Sequence, residues 1–301
     1  MKKILHILNT IIQHPQPIAF ISLKFFGASF TKIFFPIKRN GYRLNLENNE
    51  MSLSLFHQGK DNYRGIEILL ESILKKGDNF IDIGGSIGFH SIYAKSIVEH
   101  GSVIMVEPMP SLVAAATRNF YLNNLNITLV PQAIHESSNT IEMANLEGRS
   151  YIHNNDLKNI NHENDPTIIG EKVFSNRFKN KISIDSCTLD SIAEKLDRIS
   201  LIKIDTEGAE LSTIKSGINT FKKTDFFLVG LFDPYTTSRF GYKANKSAYL
   251  LIESGFPFAY RISTSYTLAL TLLDMPNEKF DTPDYYLFSK IDLASLDLNQ
   301  V

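Results

Sequence analysis

From Arg64 onward the hydrophobic positions fall into two rhythms that alternate along the chain. Ile66, Leu69, Leu70 and Ile73 recur at helical spacing and predict a helix over residues 64–74, stopped by Lys75, Lys76 and Gly77. The run at 79–83 predicts a short buried strand, followed by Gly84 and Gly85. Ile87, Ile92, Ala94, Ile97 and Val98 return to the helical period, and 103–106 forms a second strand. That strand ends at Glu107-Pro108, because proline disfavours further central pairing. Pro110 opens a helix carrying Leu112, Ala115, Ala116 and Phe120, and 127–130 is the third strand.

Residues 139–186 break this rhythm with Asn, His, Asp and Gly clusters, and read as an insertion carrying an antiparallel pair at 140–143 and 181–184. Alternation then resumes: a helix at 189–196, a strand at 201–204 ending at Asp205, a helix at 209–214 and a strand at 226–229. A helix at 248–253 and strands at 256–262 and 285–288 complete the set. Strands alternating with helices predict an α/β fold, Rossmann-like, with a mostly parallel sheet covered by helices on both faces. The organisation expected is one α/β domain over 61–301, preceded by an N-terminal helical extension and lead-in over 1–60.

Composition narrows the function classes. The 301 residues carry 31 Lys and Arg against 32 Asp and Glu, which offers no excess charge for a nucleic-acid backbone, so no nucleic-acid partner is expected. A single cysteine, Cys187, excludes an intramolecular disulfide framework and cysteine-rich zinc modules. Lys2 and Lys3 precede the apolar stretch 4–12, but His6, Asn9 and Thr10 interrupt it and no small-residue cleavage site follows. Lys24 and Lys32 divide the Phe- and Ile-rich segment 18–35. Residues 1–40 therefore fit a covering helix or a peripheral membrane contact better than a spanning segment, and a cytoplasmic location is expected, with association at a membrane surface as the variant these residues allow.

Three strand ends carry the candidate chemistry. Asp82-Ile83-Gly84-Gly85-Ser86-Ile87-Gly88-Phe89 lies between a strand and a helix, where glycines permit a tight turn and close ligand approach. Its spacing fits neither a dinucleotide fingerprint nor a triphosphate loop, which counts against a nicotinamide oxidoreductase. Glu107 ends the next strand, where a carboxylate can accept both hydroxyls of a ribose. Lys203-Ile204-Asp205-Thr206-Glu207-Gly208-Ala209-Glu210 puts Asp205 at a third strand end. Glu210 there serves equally well as a ligand contact or as a carboxylate favoured at a helix start. HExxH, calcium-loop and paired zinc motifs do not occur. Asp205 with Glu207 or Glu210 leaves a magnesium route open, and no metal ligand is assigned.

Together these blocks, with Pro108-Met109-Pro110, Asn119, Asn123, Thr188-Leu189-Asp190 and Gly217, resemble the FkbM-type family of S-adenosylmethionine-dependent methyltransferases over residues 60–230. The resemblance implies a class I methyltransferase fold with a seven-stranded sheet. It places Asp82, Gly84, Gly85, Ser86 and Gly88 around the cofactor S-adenosylmethionine and Glu107 at its ribose. Ala and Asn are common in the family where this chain has Gly85 and Ser86, as is Val where it has Thr206.

Family members commonly methylate hydroxyl oxygens of sugars or glycan intermediates, so a sugar, nucleotide-sugar or lipid-linked glycan acceptor is implied. A hydroxyl is a poor nucleophile until its proton is handled. Asp205 is the first candidate for that task, His90 and His135 the others. Glu207, Asp233, Tyr235 and Arg239 are candidate acceptor contacts, the last three on a loop after the 226–229 strand whose aromatics could cover a sugar face. Alternatives are a methyltransferase acting on a peptide or small molecule, a noncatalytic S-adenosylmethionine-binding scaffold, and a membrane-surface module built on residues 1–40.

Overall fold

The computed structural model describes residues 37–39, 41–44, 64–146, 149–152, 181–230, 237, 240–243, 245–263, 268–274, 277–278 and 284–293. A hairpin of β1 (Ile37–Arg39) and β2 (Tyr42–Leu44) comes first, then α1 (Arg64–Ile73), β3 (Phe80–Ile83), α2 (Phe89–Val98), β4 (Val103–Val106), α3 (Pro110–Leu122) and β5 (Thr128–Val130). β6 (Ala133–Ile134) comes next, and the insertion brings β7 (Thr140–Leu146), β8 (Arg149–Ile152) and β9 (Lys181–Cys187). There follow α4 (Leu189–Ala193), β10 (Ile199–Ile204), α5 (Glu210–Lys215), β11 (Thr224–Val229) and α6 (Asn245–Glu253). β12 (Phe258–Ser263), β13 (Ala269–Leu272) and β14 (Tyr285–Ser289) close the chain's described part.

The main sheet has the order β13-β12-β14-β11-β10-β3-β4-β5. Its five strands from β11 to β5 are parallel, and β14 runs antiparallel between β11 and β12. Among the described residues this sheet has eight strands rather than the expected seven. The addition is β13, an edge strand with mostly exposed side chains, Leu272 among them, so no buried pattern marks it in the sequence. The insertion holds the expected antiparallel pair, β7 with β9, enlarged to a four-stranded sheet by β8 and by β6, which runs parallel to β9.

Within the lead-in, Ile37–Arg39 and Tyr42–Leu44 pair as an antiparallel hairpin. Asn123 at the end of α3 holds it through two bonds, accepting from Arg43 N at 2.8 Å and donating to Arg43 O at 2.7 Å. The rest of 1–60 lies outside the described residues. Among those described, no helix is long and apolar enough to cross a membrane.

Side-chain alternation along the central strands divides the core between the two sheet faces. Phe80, Met105, Leu201, Leu228 and Leu287 pack on one face with α1, α2 and α3. Ile81, Ile83, Ile202, Ile204, Phe227, Val229 and Tyr286 pack on the other. β3 and β10 are fully buried, as parallel strands covered on both faces should be. The chain fills one side of β3 with β4 and β5, then crosses to the other with β10 and β11. This makes a topological switch point between the carboxyl ends of β3 and β10, the place where open α/β sheets bind ligands.

Candidate active site

Register decides which chemical groups meet at that switch point. Asp82 and Lys203 are direct partners on neighbouring strands β3 and β10, on the face of Phe80 and Leu201. Both are buried, and Lys203 Nζ lies 3.1 Å from Asp82 Oδ1. Ser91 on α2 donates to Asp82 Oδ2 at 2.7 Å. A buried ion pair of this kind holds only while both partners remain, since removing one strands the other's charge at a cost of about 3–5 kcal/mol. Asp82 therefore sits beneath the glycine loop, tied to α2 and β10, rather than on the open surface of the site.

The glycine loop is fastened to the exits of both neighbouring strands. Gly84 N and Gly85 N donate to Val106 O at 2.9 and 3.2 Å, and Asp205 N donates to Ile83 O at 3.0 Å. Gly84 has φ +78°, and a Cβ there would stand 2.0 Å from Asp205 O, so only glycine lets the β3 and β10 exits touch. Gly85 and Gly88 lie against the side chains of Met105 and Phe120. Asn119 on α3 donates to Ile87 O at 2.8 Å and holds the loop from behind. Ser86 takes the left-handed conformation at φ 54° despite its side chain, a strain that marks functional loops.

Glu107 straps the loop down. Its Oε2 accepts from Ser86 N and its Oε1 from Met109 N, both at 3.0 Å. Burial pushes this carboxyl up to about 7; the two N–H groups oppose the rise and the nearby Asp82 adds to it. Each carboxylate oxygen has two lone-pair directions and uses one, so one remains on each for a pair of hydroxyls.

The third exit is built on the same plan. Glu207 adopts φ 54°, and buried Glu210 gathers the loop through Gly208 N at 3.0 Å, Thr206 N at 3.3 Å and Thr206 Oγ1 at 3.2 Å. Tyr242 donates its hydroxyl to Gly208 O, and the same oxygen lies 3.4 Å from Glu210 Oε2. Burial pushes Glu210 up to about 7, with the Gly208 N–H opposing and Asp205 adding to the rise. Tyr242 is pushed upward too, by burial and by Glu210. These bonds make Glu210 the brace of its own loop.

Asp205 is the partly exposed acid of the group, with its side chain 16% exposed. Tyr285 donates to its Oδ2 at 2.7 Å, and Lys203 Nζ lies 3.7 Å from the same oxygen. Neither candidate histidine bonds to the Asp205 carboxylate. His90 is buried on α2, edge-on to Phe89 at 5.1 Å. His135 is half-buried at the end of β6, where its N–H donates to Cys187 O. Asp233, Tyr235 and Arg239 lie outside the described residues. Thr188 and Asp190 are structural: Thr188 caps α4 by accepting from Ser191 N, and Asp190 accepts from both the N–H and hydroxyl of Thr220. No cluster of three or more His, Cys, Asp or Glu suited to a metal occurs among the described residues.

Lys203 and Tyr285 escaped the reading by spacing. Lys203 left one usable signal, a charge of opposite sign to Asp82 inside an otherwise apolar strand. Tyr285 left none, because its contact spans 80 residues.

A parallel sheet with an antiparallel β14 inserted next to β11, a glycine loop leaving β3 and an acid ending β4 define the class I methyltransferase fold. The Methyltransferase FkbM domain matches residues 82–278, more than half of the 301. The chain belongs to this family, whose cofactor is S-adenosylmethionine. Methyltransferase sdnD of Sordaria araneosa is 26% identical over 152 residues, 45% of this chain and 58% of that protein. The chain thus spans little more than half the length of that curated relative. Among solved structures, Aeropyrum pernix fibrillarin with natively bound S-adenosyl-L-methionine is 12% identical, with a TM-score of 0.40, covering 85% of this chain and 83% of that one. An O-methyltransferase from Bacillus cereus is 14% identical, with a TM-score of 0.38, covering 74% and 78%. At such values these likenesses carry nothing about what this chain acts on.

Proposed function

We propose that the protein transfers a methyl group from S-adenosylmethionine to a hydroxyl oxygen of a sugar or glycan intermediate. The observation that carries the reading is the meeting of three strand exits at the switch point: the glycine loop, Glu107 bonded to Ser86 N, and Asp205 bonded through its N–H to Ile83 O. The residues present suit the cofactor. Glu107 keeps one lone-pair direction on each oxygen for a ribose diol. Gly84, Gly85, Ser86 and Gly88 shape the wall beside it, with Asp82 holding that wall from beneath through Ser91 and Lys203.

Bound there, S-adenosylmethionine would supply an electrophilic methyl to the acceptor oxygen, the C–S bonding pair remaining on sulfur as the new C–O bond forms. Asp205 takes the proton that the acceptor hydroxyl loses and later releases it to water. Its partly exposed carboxylate at the edge of the site suits that role better than buried His90 or His135 on the insertion side. Holding the hydroxyl in line contributes much of the acceleration in such a transfer. Glu207 and the loop bearing Asp233, Tyr235 and Arg239 are assigned to the acceptor, and a peripheral membrane contact through residues 1–40 would suit a lipid-linked one.

The test is an assay with methyl-labelled cofactor across sugars, nucleotide sugars, lipid-linked glycans and peptides, read by mass spectrometry. The expected product is a glycan carrying a labelled methyl ether. Label found only on peptides or on non-sugar small molecules would contradict the proposed acceptor.

A further inference from the structure

We propose that Tyr285 is a positioning residue for methyl transfer: its hydroxyl, with the Lys203 ammonium, fixes Asp205 in the orientation that meets the acceptor. This inference rests on the reading of Asp205 as the acceptor's proton-handling group. It begins with the direction of β14. That strand runs against β11, so its first residue lies at the edge where the parallel strands end. Register pairs Lys203 with Leu228 and Leu228 with Leu287 across β10, β11 and β14. Two residues further toward the site edge, the same row reads Gly84, Asp205, Gly230 and Tyr285.

Both neighbours of Asp205 in this row are glycines, and each has a spatial reason. A Cβ at Gly84 would strike Asp205 O. A Cβ at Gly230 would stand 2.5 Å from Tyr285 Cε1, so the missing side chain leaves the space in which the ring lies. Gly230 N donates to Ile204 O at 2.8 Å and keeps the β11 exit against β10. The tyrosine thus reaches across an emptied position to donate to Asp205 Oδ2 at 2.7 Å, and Lys203 Nζ approaches the same oxygen. Both contacts fall on Oδ2, which leaves Oδ1 to face the acceptor. Tyr285 lies beyond residue 278, where the match to the family domain ends.

Tyr285→Phe keeps the ring over Gly230 and removes only the donor. With the acceptor returned by the labelled-cofactor screen, kcat is expected to fall about tenfold or more, while acceptor KM stays within about threefold. Calorimetric affinity for S-adenosylhomocysteine is expected to stay within about threefold as well. Added to Asp205→Asn, the change should cost nothing further, since residues that act as a unit are not additive. Full kcat in Tyr285→Phe, an equal loss in both backgrounds, or an affinity for S-adenosylhomocysteine about tenfold weaker would each overturn the inference. Crystal structures of both proteins with S-adenosylhomocysteine decide it without any acceptor. Asp205 should reorient in Tyr285→Phe, and an unchanged carboxylate would reject the inference. Wild-type protein inactive on every acceptor would instead remove the functional reading, leaving this structural comparison to judge Tyr285.

Discussion

The two loops that face each other at the switch point are built alike and differ in what they leave over. Each follows a buried parallel strand, contains a non-glycine residue in the left-handed conformation, Ser86 or Glu207, and is gathered by a buried glutamate pushed up to about 7. Glu107, however, comes from the neighbouring strand and receives one backbone N–H on each oxygen. Glu210 belongs to the loop it gathers, takes three bonds on Oε1 and meets Tyr242 on Oε2. The first glutamate joins two strand exits and has acceptor capacity left; the second is filled by its own surroundings. Burial and a raised pKa are therefore shared by a ligand site and a loop brace, and the count of bonds already made separates them.

The comparison can be broken most severely at the acid between the loops. Asp205→Asn should lower methyl transfer by about 10²-fold or more while leaving calorimetric affinity for S-adenosylhomocysteine near that of wild type. Full activity would remove Asp205 as the proton acceptor. Next comes the glycine that lets the loops touch. Gly84→Ala forces a Cβ at φ +78° onto the Asp205 carbonyl and should destabilise the fold by about 3 kcal/mol or more in chemical denaturation. A loss below about 1 kcal/mol would mean that the exits separate easily.

The paired glutamates also set a pH dependence. Their folded carboxyls sit near 7 against an ordinary 4.5, so the fold favours the neutral form. That contribution is fully present below the unfolded value and is lost as pH rises through about 7. Stability should fall between acidic and mildly alkaline conditions by about 1–3 kcal/mol for each group, and Glu210→Gln should flatten the profile. Denaturation midpoints that rise across this range would contradict the assigned burial. The smallest effect is expected at Gly85→Ala. Its Cβ would stand 2.5 Å from Cγ of buried Met105, a side chain that must shift but can repack, so a loss of about 1–2 kcal/mol is expected from thermal unfolding.

What the sequence disclosed follows the range of the interactions. The parallel strands were legible because each is a short apolar run buried on both faces, and Gly84, Glu107 and Asp205 were legible because they sit where those runs stop. The edge strand β13 and the hairpin at 37–44 lack such runs. Glu210 stood evenly between ligand contact and brace, since the spacing could not count its bonds. The row that joins Asp205 to Gly230 and Tyr285 depends on register between strands far apart in the chain, and local periodicity carries no trace of it. Lys203 could have been paired with Asp82 in advance, as two opposite charges inside buried strands have little else to meet.

A calorimetric titration of S-adenosylhomocysteine into wild-type protein, Glu107→Gln and Glu210→Gln tests the division of labour between the two glutamates. Glu107→Gln should bind at least about tenfold more weakly, and Glu210→Gln should stay within about threefold of wild type. Equal weakening in both variants, or wild-type affinity in Glu107→Gln, would contradict the assignment of the ribose to Glu107.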